Sequence, residues 1–446
     1  MMIPARRVYL ALLIGTGIGL AIAAVDRNPA NPGLPGVSNL ALLVTLVWDG
    51  LVLALAIVDS QRANGQRVTV SRQPLQRLSI GRDNPVRLTV QSGKHPVTLQ
   101  IRDDYPAEFR ATPEQLRLVL PANSQDDLTY TVFPTKRGEY RWGEIYMRQL
   151  APWGLAWNTW KVSQGQTVEV YPDLAGLRSL SLRLTLQTTG NIRRAARLGM
   201  GTEFAELREY GTGDDPRLID WKATARRNRL LLRVLEPEQE QTLIILLDRG
   251  RLMTAQVNGL TRFDWGLNAT LALALTALHR GDRVGIGVFD HQMQLWIPPE
   301  RRQAHLSTLL ERLTPIQPVL LEPDYLGAVT TLTQQQTRRA LVVLITDVID
   351  QTASAELLSA LGRLLPRYLP FCVTLRDPQI DRQADTATDT VTRAYQRAVA
   401  LDLLTQRQVA LAKLKQKGGL VLDAPADRIS HELVDRYLQL KARNQL

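Results

Sequence analysis

Leu243-Ile244-Ile245-Leu246-Leu247-Asp248 is a run of five branched aliphatic side chains closed by a carboxylate. An apolar run without alternation belongs to a strand buried on both faces, as in a parallel sheet covered by helices. The sequence that follows keeps to that pattern. Residues 262–280 place Phe263, Leu267, Leu271, Ala274 and Leu278 on one helical face. A second apolar run, 284–289, ends at Asp290; residues 301–313 are again helical; a third run, 340–345, is followed by Thr346-Asp347. Residues 371–375 and 420–422 supply two more strands, separated by a long polar helix over about 391–415. Strands alternating with helices predict a doubly wound parallel sheet over residues 239–446. Such sheets bind ligands outside the carboxyl ends of their strands, which is where Asp248 and Asp347 stand.

Upstream, residues 67–172 change to a period of two. Val86, Leu88 and Val90 alternate with polar neighbours, as do Val97, Leu99 and Ile101, then Leu128, Tyr130 and Val132, Tyr140 and Trp142, and Val168 and Val170. Short half-buried strands punctuated by Gly81, Gly93, Pro121, Gly138 and Gly143 predict an antiparallel β-sandwich, with Gly143 at a bulge. Pro152-Trp153-Gly154-Leu155 is a turn whose tryptophan is expected to pack rather than bind. Residues 173–238 connect the two halves.

The first 66 residues are of another kind. Residues 8–25 carry no charge, and residues 40–58 carry only Asp49. Each run is close to the roughly 20 residues a helix needs to cross a bilayer. Twelve Leu, Val and Ile residues in the second run outweigh the roughly 3 kcal/mol that Asp49 costs. Arg6 and Arg7 precede the pair, and Arg62, Arg67 and Arg72 follow it, while the Pro- and Gly-rich connector 26–39 holds Arg27 alone. That asymmetry predicts a transmembrane hairpin in the inner membrane with both ends, and hence the soluble domains, in the cytoplasm. The rival reading makes the first run a cleavable signal peptide ending near Ala21-Ile22-Ala23-Ala24. Gly15 and Gly19 are spaced for close helix approach, and Asp49 is expected to bond to the facing helix, with Thr16 as a candidate partner.

The formal charge is +11, which suits anionic lipid, nucleic acid or an acidic protein; for a membrane protein the headgroups are the plain explanation, and no nucleic acid is expected. The single cysteine, Cys372, excludes an internal disulfide. There is no phosphate loop, no Gly-x-Gly-x-x-Gly turn after a strand and no nucleophile elbow, so no catalytic residue is assigned.

The stretch Arg208-Glu209-Tyr210-Gly211-Thr212-Gly213-Asp214-Asp215-Pro216-Arg217-Leu218-Ile219-Asp220-Trp221-Lys222-Ala223-Thr224-Ala225-Arg226 is very similar to the signature of domain-of-unknown-function family fifty-eight. The likeness extends to the paired spans, to Lys136-Arg137-Gly138-Glu139-Tyr140 and to the closing Tyr437-Leu438-Gln439-Leu440-Lys441. The resemblance implies a von Willebrand factor A-like fold for the second half and a pairing with MoxR-type AAA+ ATPases. It also implies a metal-dependent adhesion site, against which this sequence departs. Asp248 matches, but Gly250 and Leu252 stand where that site has serines, and Glu322-Pro323-Asp324 stands where it has a threonine. Asp347 matches the last acidic position. No cofactor is therefore expected; the alternatives are a weakly held Mg²⁺ at Asp248, Asp347 and Asp324, or Arg249 or Arg251 pairing with an aspartate in the cation's place.

Within the signature, Gly211, Gly213 and Asp214-Asp215-Pro216 read as a turn. Ile219, Trp221 and Ala225 are expected to dock on a core, leaving Arg217, Lys222, Arg226 and Arg227 outward or paired with Asp214, Asp215 and Asp220. A brace between the soluble domains, a partner-docking surface and a nucleotide or phosphate contact are the three readings, taken in that order. Together these features predict a non-enzymatic, membrane-anchored adaptor or scaffold, with a metal-dependent ligand-binding module as the alternative.

Overall fold

In the computed structural model, which describes residues 2–26, 37–75, 77–195, 203–211, 214–236, 241–348, 355–387 and 390–443, two long helices open the chain. They span Arg6–Asp26 and Val37–Asn64, and both are long and apolar enough to cross a membrane by length and composition. The connector residues 27–36, with Arg27, lie outside the described residues. The glycine spacing has a direct consequence. A Cβ on Gly15 would lie 2.2 Å from Cδ1 of Trp48, and one on Gly19 would lie 2.1 Å from Oγ1 of Thr45. Trp48 uses the space to donate from Nε1 to the carbonyl of Ala11 at 2.9 Å. The Thr16 pairing is not formed. Its hydroxyl donates to Leu13 one turn back, as helix threonines can, while Oδ1 of Asp49 lies buried beside Gly15 with no hydrogen-bond partner among the described residues.

The chain divides into two compact units, Met1–Tyr171 and Pro172–Leu446. In the first, the helices and sheets are joined by specific bonds. Met2–Pro4 forms an edge strand antiparallel to Ala156–Asn158, and the first helix starts two residues later. The 152–155 turn is held by Asp59, whose two carboxylate oxygens accept from the backbone N–H of Trp153 at 2.9 Å and of Leu155 at 3.0 Å. Arg62 stacks over the Trp153 ring at 4.5 Å, and Ser60 donates to Asn158 at 2.6 Å. The tryptophan is thus part of a clasp on the second helix, half out in solvent, rather than a buried plug.

The alternating segments become the expected strands. A five-stranded sheet runs in the order Met2–Pro4, Ala156–Val162, Ile145–Leu150, Val97–Asp103, Leu116–Leu120, all neighbours antiparallel. A four-stranded antiparallel sheet runs Thr69–Arg72, Asn84–Gln91, Gln125–Phe133, Arg110–Thr112. A three-stranded sheet of Leu78–Ser79, Gln166–Tyr171 and Gly138–Trp142 completes the unit. Buried polar groups tie these sheets together: Arg72 donates from Nε to Asp103 at 3.0 Å, and Tyr130 donates to the same carboxylate at 2.5 Å. Gly143 lies between two strands rather than at a bulge within one. Its N–H donates to the Asp104 carbonyl at 2.7 Å, and a Cβ there would fall 2.1 Å from the Asp104 carboxylate.

In the second unit six strands pair in the order Met293–Glu300, Arg283–Phe289, Thr242–Asp248, Leu341–Thr346, Leu369–Arg376, Leu420–Pro425. Five are parallel, and Met293–Glu300 is antiparallel, so the sheet is mixed where a wholly parallel one was expected. The tight turn at Asp290 returns the chain beside its own strand, so no crossover helix is needed. Arg262–His279 and Ile429–Ala442 cover one face; Tyr325–Gln335, Ala355–Leu364 and Val391–Gln416 cover the other. Ile244, Leu246, Val342, Leu344, Leu332 and Leu361 form the core of that second face. Each such side chain contributes roughly 1.5–3 kcal/mol by leaving water. Written in chain order the strands run 3-2-1-4-5-6, so the order reverses between Thr242–Asp248 and Leu341–Thr346.

Candidate functional site

The reversal point places Asp248 and Asp347 side by side at the carboxyl ends of adjacent strands, where an open sheet offers a ligand crevice. Here that crevice is filled by the protein's own cations. Asp347 receives Arg262 Nη1 at 2.6 Å on one oxygen and Arg407 Nη1 at 2.7 Å on the other. Arg407 continues to Asp423 at 2.8 Å, and Asp423 accepts from the Thr374 hydroxyl at 2.8 Å. The five side chains link two helices to three strand ends, and Asp347 is almost wholly buried.

Asp248 sits deeper and is paired only with neutral donors. Its Oδ1 accepts from Gly250 N–H at 2.6 Å, and its Oδ2 from the Thr346 hydroxyl at 2.7 Å and from Tyr325 at 3.4 Å. Burial pushes its carboxyl up to about 6, against these three hydrogen bonds. Gly250 is required here for space: a Cβ would lie 2.8 Å from the Leu321 carbonyl and 3.0 Å from the Asp248 carboxylate. A serine ligand at that position has no room. Asp324 is exposed and turned to another task, capping the helix Tyr325–Gln335 by accepting from Gly327 N–H at 2.7 Å. No group of three or more His, Cys, Asp or Glu side chains arranged to hold a metal occurs among the described residues.

Guanidiniums do stand on Asp347, but they come from Arg262 and Arg407 rather than from Arg249 or Arg251. Arg249 pairs with Asp290 at 2.8 Å and Arg251 with Glu322 at 2.7 Å, both away from Asp347. A signal for Arg407 existed in the sequence. It lies on the stripe Ala400, Ala410, Leu411, Leu414 that forms the buried side of its helix, and an arginine there must find a buried carboxylate. Cys372, on the neighbouring strand, is fully buried, and its thiol is pushed up to about 12 by that burial, so it is no nucleophile.

The signature segment forms a separate local structure. Glu203–Glu209 and Leu231–Glu236 pair as an antiparallel ribbon, and residues 210–230 are an excursion from its end. Thr212 and Gly213 lie outside the described residues. The three aspartates are occupied within the excursion and its two flanking strands. Asp214 accepts from Gly211 N–H at 2.8 Å and pairs with Arg208 at 2.5 Å. Asp215 caps the short helical turn Pro216–Leu218 through Arg217 N–H at 2.9 Å. Asp220 caps the helix Trp221–Arg227 through the N–H groups of Lys222 and Ala223 and pairs with Arg233 at 2.8 Å. Asp214 is held below the usual carboxylate range chiefly by Arg208, and Asp220 chiefly by the Ala223 N–H.

Trp221 does not dock on a core. It is 67% exposed, and no residue of its helix is buried. The reason is a change of phase at Asp220. Ile219 is extended and bridges to Leu232, whereas Trp221 is the first helical residue, so Ile219 does not lie on the face that Trp221 and Ala225 share. Asn228, in the left-handed region at φ 51°, ends the helix and leaves Leu230 exposed as well. The side chains of Arg217, Lys222, Arg226 and Arg227 form no ion pair with any described residue.

Residues 206–401 match the family model described as protein of unknown function DUF58, over the part of the chain that holds the signature and most of the second unit. Uncharacterized proteins of Mycobacterium bovis and Mycobacterium tuberculosis are 25% identical to this chain over 211 residues, 46% of its length and 65% of theirs. The match therefore spans just under two thirds of those curated relatives. Among solved structures, the conserved hypothetical protein BatB of Bacteroides thetaiotaomicron is similar at 16% identity, over 46% of this chain and 99% of that one, with a TM-score of 0.32. An aerotolerance-related membrane protein of Bacteroides fragilis is similar at 13% identity with the same coverage, 46% and 99%, and a TM-score of 0.29.

Proposed function

We propose that this chain is a non-enzymatic adaptor, anchored by its helical hairpin in the inner membrane with both soluble parts in the cytoplasm, and that the signature excursion is the surface it offers to a protein partner. The carrying observation is the exposed Trp221 among Arg217, Lys222, Arg226 and Arg227, with the neighbouring aspartates already committed to caps and to Arg208 and Arg233. An exposed aromatic close in sequence to exposed cations that pair with no described residue has the composition of an interface hot spot. The partner implied by the family resemblance is a MoxR-type AAA+ ATPase or its client. We read the second unit as von Willebrand A-like, supported by its strand order, and the first as a β-sandwich fused to the anchor. The strand formed by Met2–Pro4 supports retention of the first helix rather than its removal as a signal peptide.

The test is Trp221→Ala in the full chain, measured by thermal melting and by co-purification with a MoxR-type ATPase. Surface truncations change stability by within about 0.5 kcal/mol, whereas loss of an interface anchor costs about 2 kcal/mol or more of binding. The melt is expected to hold and the partner to be lost. A lowered melting temperature with the partner retained would restore the brace.

A further inference from the structure

The outward face of the five-stranded sheet in the first unit holds a concavity of about 730 Å³. Strand register decides what lines it. Arg102 on one strand stands opposite Tyr146 on the next, which stands opposite Lys161 on the third. One pleat along, Gln100, Arg148 and Thr159 form the parallel row. Met147 and Ile101, whose side chains point into the core, close the floor. Of the three cations, Lys161 already has a partner: Glu144 lies 3.3 Å from its Nζ, and the ring of Tyr146 lies 4.9 Å away. Arg102 and Arg148 are exposed and form no ion pair with any described residue, and Asp104 is the one acidic residue in the lining.

We infer that this face binds an extended acidic segment of a partner protein, with carboxylates at alternate positions. Arg102 and Arg148 are diagonal neighbours on adjacent strands, a placement that sets their Cβ atoms about 7–8 Å apart. Alternate residues of an extended chain lie about 6.6 Å apart and point the same way. Two carboxylates so spaced meet both guanidiniums at once, while the intervening side chain points outward and Tyr146, beside both arginines, is left to pack against the segment's backbone. An aromatic adjoining two cations suits a peptide better than a free anion, which one guanidinium would satisfy. The site is in a different unit from the signature excursion and does not depend on it, so either surface can fail its test alone.

The experiment uses the full chain in a neutral detergent and a fluorescein-labelled nine-residue peptide alternating Glu with Ser, read by anisotropy. Binding is expected that weakens with added salt and falls about tenfold in the double variant Arg102→Gln, Arg148→Gln, the loss of two exposed charge contacts. Arg87→Gln, on an exposed position of the four-stranded sheet, is expected to leave it unchanged. Equal binding of the same peptide with Gln for Glu, or an unaffected double variant, overturns the proposal. So does displacement of the peptide by inorganic phosphate at equal concentration, which would make the face a small-anion site instead.

Discussion

Replacing Asp248 by Asn separates the two accounts of the strand-end cluster. In the fold this carboxyl is held at about 6 against an ordinary 3.8, chiefly by burial. That difference costs the ionised folded form about 3 kcal/mol as an upper figure. The sign follows from the two states. Below about pH 4 the group is protonated folded and unfolded, and nothing is lost. Above about pH 6 it is ionised in both, and only the folded form bears the desolvation, so stability falls as pH rises through this window. An asparagine fits the same cradle. Its oxygen accepts from Gly250 N–H, and its amide donates to the hydroxyl oxygens of Thr346 and Tyr325. Asp248→Asn is therefore expected to stabilise the second unit at pH 7.5 by up to about 3 kcal/mol and to flatten this part of the pH dependence. Hydrogen exchange of the strands Thr242–Asp248 and Leu341–Thr346, measured at pH 5 and pH 7.5 in the intact chain, reads the effect. A variant less protected than wild type at pH 7.5 would refute the reasoning, because it would mean that the fold needs the negative charge, as a cation site does.

Three other perturbations test the remaining features. Arg407→Leu leaves Asp347 and Asp423 short of a guanidinium and should cost about 3–5 kcal/mol in the same exchange experiment, with little change if the pairing is incidental. Gly15→Val pushes into Trp48 and should destabilise the hairpin by about 1–3 kcal/mol, read by titrating SDS into mild-detergent micelles; an unchanged midpoint would mean that the helices do not approach there. A reporter fused after Leu446 should be active in the cytoplasm and one inserted near Gly33 outside, and an externally active C-terminal reporter would revive the signal-peptide reading.

The legible parts of this sequence were those governed by local periodicity. The unbroken run at Leu243–Leu247 and the alternation at Val86–Val90 each fixed one strand type, because burial on two faces or one leaves a different pattern. Met293–Glu300 escaped notice: Pro298 and Pro299 interrupt it, as an edge strand permits, and its alternation mixes Gln with Trp. Met2–Pro4 is too short to show any period. At the candidate site the positions of Asp248 and Asp347 were legible from the strand ends, but their partners were not. Arg407 lies 60 residues from Asp347, a distance across which no local pattern reports a contact. Trp221 is hidden for a simpler reason: the helical spacing Ile219, Trp221, Ala225 runs across Asp220, the cap at which the helix begins.

The edge strand Met2–Pro4 also sets an order of events during synthesis. Its partner, Ala156–Asn158, leaves the ribosome more than 150 residues later, after both apolar helices have emerged. If the hairpin inserts as proposed, the first strand waits at the bilayer surface, held there by the helix that follows it, until the matching segment arrives. Asp59 likewise waits for the backbone of Trp153 and Leu155. On that reading the five-stranded sheet is completed against an inserted hairpin, and long-range closure of this kind is slow. A chain that failed to insert would still carry its first strand, but would present two unshielded apolar helices at the moment of closure, the condition under which folding intermediates aggregate.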